Sequence, residues 1–270
     1  MNPLTLGSPI HPPLVFLHGF LGRGRDWLPV AQAFADRFYC ILPDLPGHGE
    51  NTGFPLEKPL SYDVFVDDLA ATLPSPPAPL PGGEDGRKIN LVGYSMGGRT
   101  ALYFALKYPE LVQTLILEST SPGIEAEPAR LERCKLDDRW AGVIRANGIS
   151  AFVEEWYNIP LFRSLHRQPE LLERVKAARR ENSSAWMAKV ITELSPGRVP
   201  YLGGRLGELN LPVLLLAGRL DEKYASGLEP FQRRIKGALA EIVPAAGHTI
   251  HAEQAQAFIH SLDTFLTSGR

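Results

Sequence analysis

Short runs of consecutive apolar residues punctuate this chain, and each ends in glycine, proline or a polar turn. Leu14-Val15-Phe16-Leu17, Phe38-Tyr39-Cys40-Ile41-Leu42, Ile89-Asn90-Leu91-Val92, Leu115-Ile116-Leu117, Val213-Leu214-Leu215-Leu216 and Ala240-Glu241-Ile242-Val243 are short and mostly apolar. Strands of this kind are buried on both faces, as in a parallel sheet. Between them the spacing becomes helical. Trp27, Val30, Ala31 and Phe34 share one face of a predicted helix from Trp27 to about Asp36, with Asp26 placed to cap it. Further helices are predicted from Ser61 to Leu73, after Ser95, and from about Glu253 to Leu266. Strands alternating with helices predict a doubly wound, mostly parallel α/β sheet. Pro74 to Gly86 holds five prolines and three glycines and is expected as a surface loop.

The alternation lapses once. From about Pro122 to Pro200 no strand pattern is legible, and Glu, Arg, Ala and Leu dominate at helical spacing, with Trp140, Trp156 and Trp186 spread through. The expectation is a core made of residues 1–121 and 201–270, interrupted by a helical lid, 122–200, over the sheet edge where ligands bind.

Charge adds one detail. The net charge is −2, which argues against a nucleic-acid partner. Residues 123–200 carry 13 Lys and Arg against 11 Asp and Glu, whereas the rest carries 15 against 19. A basic lid suits an anionic small molecule, although helical surfaces are commonly rich in both Arg and Glu. The two cysteines, Cys40 and Cys134, lie far apart and indicate neither a disulfide framework nor a metal site. Met1 to Pro13 lacks the basic and apolar regions of a signal peptide, and no run of 18 apolar residues occurs. A cytoplasmic protein without a membrane span is expected, with no cofactor.

The candidate chemistry centres on Gly93-Tyr94-Ser95-Met96-Gly97. A serine between a strand and a helix in this glycine frame sits on a tight bend that exposes its Oγ above the sheet. A serine of ordinary acidity becomes useful when a histidine takes its proton and a carboxylate orients that histidine. Asp221, in Gly218-Arg219-Leu220-Asp221, and His248, in Gly247-His248-Thr249, each follow a predicted strand in the order Ser, Asp, His. Glu222 is the alternative acid. His18 and His48 are read as shaping loops and His251 as lying near the rim. Two backbone N–H groups are expected to hold an oxyanion, those of Met96 and Phe20.

These segments resemble the α/β-hydrolase superfamily over nearly the whole chain, together with Leu17-His18-Gly19-Phe20 and Asp44-Leu45-Pro46-Gly47-His48-Gly49. Within it the chain resembles the 2-succinyl-6-hydroxy-2,4-cyclohexadiene-1-carboxylate (SHCHC) synthase family. The pointers are Arg99 four residues after Ser95, Ser121-Pro122-Gly123-Ile124 followed by Arg130 and Arg133, and Phe152-Val153-Glu154-Glu155-Trp156-Tyr157. That resemblance implies a lyase of menaquinone and phylloquinone biosynthesis, eliminating pyruvate from 2-succinyl-5-enolpyruvyl-6-hydroxy-3-cyclohexene-1-carboxylate. It further implies a serine that acts as base, arginines that hold carboxylates (Arg99, Arg133 and one of Arg179 and Arg180), and a pocket lined by Tyr94 and Trp156. The rival readings are a carboxylesterase or carbon–carbon hydrolase using the same three residues with water, and a non-catalytic receptor on this fold.

Overall fold

The computed structural model describes residues 3–73 and 88–268. The expected loop at 74–86 lies outside them. Among the described residues seven strands form one sheet: β1 (Leu4–Leu6), β2 (Pro13–Leu17), β3 (Tyr39–Leu42), β4 (Ile89–Tyr94), β5 (Val112–Glu118), β6 (Val213–Gly218) and β7 (Leu239–Val243), in the spatial order β1-β3-β2-β4-β5-β6-β7. All neighbours are parallel except β1 with β3. β1 has no counterpart in the sequence reading, because three residues at a half-exposed sheet edge carry no readable periodicity.

The side-chain alternation of the strands divides the core in two. Val15, Leu17, Leu91, Leu115 and Leu215 face one side, against α2 (Tyr62–Thr72) and α3 (Met96–Lys107). Leu14, Phe16, Val92, Ile116 and Leu216 face the other, against Trp27, Phe34, Phe258 and Leu262. Both faces of each central strand are therefore dry, which is why their sequences read as unbroken apolar runs.

Two helices differ from expectation. Gly24–Trp27 is a 3₁₀ turn leading into a short α1 (Leu28–Ala31), and the chain beyond closes with i−3 bonds, Ala33 to Val30 and Phe34 to Ala31. Asp26 therefore caps no long helix; its carboxylate accepts from the Arg23 amide and from Arg179. The closing helix is broken at Gln254 into α8 (Ile250–Glu253) and α9 (Ala255–Thr267).

Between β5 and β6 the described residues form α4 (Glu127–Trp156), a 3₁₀ segment (Pro160–Arg167), α5 (Pro169–Arg179), α6 (Ser184–Glu193) and a second 3₁₀ segment (Gly203–Glu208). The path of α4 breaks at Gly148, at φ 78°. β6 is followed by α7 (Glu222–Gln232). Among the described residues no helix is long and apolar enough to cross a membrane.

Candidate active site

The register aligns the strand ends: Leu17 with Gly93, Tyr94 with Glu118, Gly218 with Val243. Residues just past β2, β4, β6 and β7 consequently meet at one edge of the sheet.

Ser95 occupies the bend between β4 and α3 at φ 52° and ψ −109°, a conformation that costs a non-glycine residue about 1–3 kcal/mol. The surroundings hold it there. The Ser95 amide donates to the Glu118 carbonyl at 2.9 Å, and the Ser95 carbonyl accepts from Thr120 Oγ1 at 2.8 Å and from the Arg99 amide at 3.1 Å. The flanking glycines are required sterically. A Cβ on Gly97 would lie 2.4 Å from the carbonyl oxygens of Leu17 and His18, and one on Gly93 would lie 2.5 Å from that of Gly97.

His248 Nε2 lies 3.1 Å from Ser95 Oγ, and His248 Nδ1 lies 2.6 Å from Asp221 Oδ2. A carboxylate only accepts, so Nδ1 carries the proton and the Nε2 lone pair faces the serine hydroxyl. Asp221 and His248 are 4% and 2% exposed, where an ionic hydrogen bond is little screened. The imidazole is packed by Tyr94, Phe162 and Tyr224. Its loop is fastened by the Glu253 carboxylate, which accepts from the amides of Gly247 (2.9 Å) and Thr249 (3.1 Å). Glu222 is exposed and has no hydrogen bond to His248; Asp221 makes that contact.

The loop after β2 is set by His18. Leu45 N donates to His18 Nε2 at 2.9 Å, so the ring proton resides on Nδ1 and is donated to the Gly19 carbonyl at 2.8 Å. Gly22 N donates to that same oxygen. In the trans Gly19–Phe20 peptide the Phe20 N–H points opposite to the tethered carbonyl. Gly19 passes so close to the elbow that an added Cβ would meet the Tyr94 ring and approach Ser95 Cβ at 3.5 Å. Burial lowers the pKa of His18, keeping the ring neutral as this relay needs. His48 packs edge-on against His18, and burial together with that neighbour holds its pKa well below the ordinary value. His251 does not lie at a rim: it is buried, bonded to Glu118 through its amide and Nδ1, and stacked against Trp27.

A cavity of about 600 Å³ opens over Ser95. Ser95, Met96, Phe20 and Asp221 form its floor, and Arg99, Arg133, Trp140, Trp156, Ile159 and Ile191 belong to its walls. Arg99 is 8% exposed and its Nε donates to Tyr62 Oη at 2.9 Å. Arg133 Nε donates to Asp137 Oδ2 at 2.7 Å. Tyr94 is not part of this wall; it lies beneath Gly19, with Oη 3.3 Å from Thr249 Oγ1, and burial raises its pKa well above the usual phenol value. The two consecutive arginines diverge. Arg179 turns inward to Asp26 at 2.5 Å and towards Tyr157 Oη at 3.4 Å, and Arg180 turns outward to Glu154; neither belongs to the cavity wall. Burial would raise the Asp26 pKa, but the Arg179 cation, the Arg23 amide and His18 together outweigh it and hold the carboxyl below its ordinary range. Among the described residues no three His, Cys, Asp or Glu side chains converge as metal ligands.

Sequence reasoning passed over Tyr62, Asp137, Asp26, Glu253 and the Glu118–His251 pair as site-supporting residues. Only Asp137 left a trace, as a carboxylate four residues after Arg133 on one helical face.

A parallel sheet with a serine elbow, and Ser95, His248 and Asp221 in hydrogen-bond reach at its edge, defines a class. The profile of the alpha/beta hydrolase fold family matches residues 12–255, and the chain belongs to that family. Within it, a Bacillus subtilis protein named as a putative 2-succinyl-6-hydroxy-2,4-cyclohexadiene-1-carboxylate synthase is 38% identical over 94% of this chain and 90% of its own length. The synthase of that name from Salmonella heidelberg is 33% identical over 96% of both chains. The structure of MenH from S. aureus superposes with a TM-score of 0.90 at 34% identity, over 98% of both chains. The chain is a member of the SHCHC synthase family.

Proposed function

We propose that this protein eliminates pyruvate from 2-succinyl-5-enolpyruvyl-6-hydroxy-3-cyclohexene-1-carboxylate to give SHCHC, a lyase step of menaquinone and phylloquinone biosynthesis. Ser95, relieved of its proton by His248, takes the ring proton at C2, next to the succinyl ketone. The C–H electrons form C2=C3, the C3=C4 pair moves to C4=C5, and the C5–O bond breaks. Pyruvate leaves as its enolate and is then protonated, so no water is consumed. Negative charge gathers on the ketone oxygen, where the N–H groups of Phe20 and Met96 stabilise it. Asp221 holds the His248 tautomer and steadies the imidazolium that forms.

The observation that carries this reading is the placement of Arg99 and Arg133 on the wall of the cavity whose floor holds Ser95. A neutral ester has no use for two guanidinium groups there, whereas a tricarboxylate matches their paired donors. Helices 122–200 act as a lid that excludes water, with Trp156 as an apolar wall and the Arg179–Asp26 pair tying the lid to the loop after β2. Arg179 and Arg180, both outside the cavity wall, are assigned no substrate carboxylate. The enzyme works on a small polycarboxylate, in the cytoplasm, without a cofactor. Mixing the purified protein with the tricarboxylate and following free pyruvate tests the reading. Hydrolysis of neutral esters without pyruvate release would replace it with the esterase alternative.

A further inference from the structure

The inner face of α4 presents Arg133, Leu136, Asp137 and Trp140 to the cavity, a spacing of i, i+3, i+4, i+7. Ala141 and Ile144 continue the buried side of the same helix. A carboxylate in such a stripe needs an explanation. Asp137 is 1% exposed; its Oδ2 accepts from Arg133 Nε, but its Oδ1 is buried with no hydrogen-bond partner among the described residues. A buried carboxylate oxygen left unpaired is costly, and a bound donor removes that cost. Arg133 has the complementary surplus, because its Nη groups meet no acceptor among the described residues. One short stretch of wall therefore offers a forked cationic donor beside an anionic acceptor.

Resting on the proposed lyase reading, we infer that the Arg133–Asp137 pair recognises the hydroxy-acid edge of the ring: Arg133 binds the C1 carboxylate, and Asp137 Oδ1 accepts the hydrogen bond of the C6 hydroxyl. The two substituents sit on neighbouring ring carbons in the SHCHC skeleton, as the donor and acceptor are neighbours on α4. Arg133 also offsets the charge of Asp137, so that a polyanion can approach it. Oδ1 is closed from solvent, so the Asp137 side chain turns to meet the ring as it seats. The pair makes Asp137 a specificity determinant. A ring without the hydroxyl leaves the oxygen unpaired, and sites built to bind a hydroxyl reject such analogues strongly.

Calorimetry tests this with two ligands: SHCHC and 2-succinylbenzoate, which is SHCHC less one water and lacks the hydroxyl. The full chain should bind SHCHC at least tenfold more tightly. Asp137→Asn, which keeps an acceptor for Arg133 while removing the charge, should shrink that ratio by fivefold or more; comparing ratios cancels the difference in ring shape. A smaller change in a variant with wild-type circular dichroism overturns the proposal. Independently of any variant, a wild-type Kd ratio below threefold between SHCHC and its 6-deoxy analogue also overturns it. Pyruvate release by the same preparation reports separately on the lyase reading: release with no hydroxyl discrimination sinks the Asp137 assignment alone, and neither release nor SHCHC binding sinks both.

Discussion

Arg99 is where the proposed chemistry is most exposed to test. It lies in the first turn of α3, where side chains lean back towards the helix N-terminus and so towards Ser95. A cation there opposes the helix dipole by about 0.3–1 kcal/mol, and burial costs it hydration, so its position requires a compensating partner. The Tyr62 hydroxyl fixes Nε, which leaves the outer edge of the guanidinium for a ligand. Two charge-assisted hydrogen bonds to a substrate carboxylate at about 1.5–3 kcal/mol each amount to about 3–6 kcal/mol. At about 1.4 kcal/mol per decade, Arg99→Ala should lower kcat/KM for the tricarboxylate by two to four decades. Both kcat and KM should change, because the same bonds hold the ring proton towards Ser95 Oγ. Arg99→Lys should recover only part, since an ammonium neither forks to a carboxylate nor reaches Tyr62 through an Nε. Tyr62→Phe should lose about one decade, because the fork remains but is no longer fixed. Pyruvate release coupled to NADH oxidation by lactate dehydrogenase measures each rate, with hydrolysis of 4-nitrophenyl acetate as the uncharged reference. Equal losses on the charged and neutral substrates would show that Arg99 merely supports the elbow, and the carboxylate-clamp argument would be refuted.

Ser95→Ala, Asp221→Asn and His248→Ala should each lower pyruvate release at least about a hundredfold, because the three act as a unit; near-normal turnover in any folded single variant removes that residue from the mechanism. Asp26→Ala leaves the Arg179 cation buried without its partner and should lower stability towards the lower end of about 3–5 kcal/mol, read as a drop in Tm, with an unchanged Tm counting against the lid tie. Stability should also fall between pH 7.5 and 5.5. His18 and His48 have folded pKa values below their unfolded ones, so the unfolded chain takes up protons first, below about 6.5. Their contribution is complete above that value and is lost as pH falls towards the folded pKa values. His48→Asn should therefore show a shallower fall in Tm over this range, and an equal or steeper fall would contradict the assignment.

Much of the fold was legible because its central strands are dry on both sides, and unbroken apolar runs such as Leu14–Leu17 and Val213–Ala217 have few other uses. Ser95, Asp221 and His248 could be named together because each follows such a run, and a parallel sheet brings the ends of its strands to one edge. What escaped notice depends on partners distant in sequence. Tyr62 reads as an ordinary residue of an amphipathic helix until α2 packs on α3 and its hydroxyl meets Arg99. His251 looked like a rim histidine, because nothing in Ile250-His251-Ala252 shows that Glu118 waits beneath it. The α1 region kept its apolar face but not its helical length: four apolar residues at helical spacing are satisfied equally by tight i−3 turns. Arg179 and Arg180 could not be told apart by pattern, and only packing sends one to Asp26 and the other to Glu154.

On the proposed mechanism, the reaction is chosen by what holds the substrate rather than by the three polar residues. The distances of 3.1 Å and 2.6 Å along Ser95, His248 and Asp221 serve a serine that attacks a carbonyl carbon as well as one that removes a proton. The Phe20 and Met96 amides are equally neutral in the choice, since an enolate oxygen and a tetrahedral oxyanion make the same demand. What differs is which substrate atom faces Oγ. Arginines on the wall fix the carboxylates, and through them the ring, so that a C–H rather than a carbonyl carbon meets the serine. Aromatic side chains around Trp156 then limit the water that a hydrolase would need for its second step. Moving this scaffold from hydrolysis to elimination thus requires changes at Arg99, Arg133 and the lid, and none at the elbow. For that reason a variant with its arginines neutralised should drift towards ester hydrolysis before it loses Ser95 reactivity.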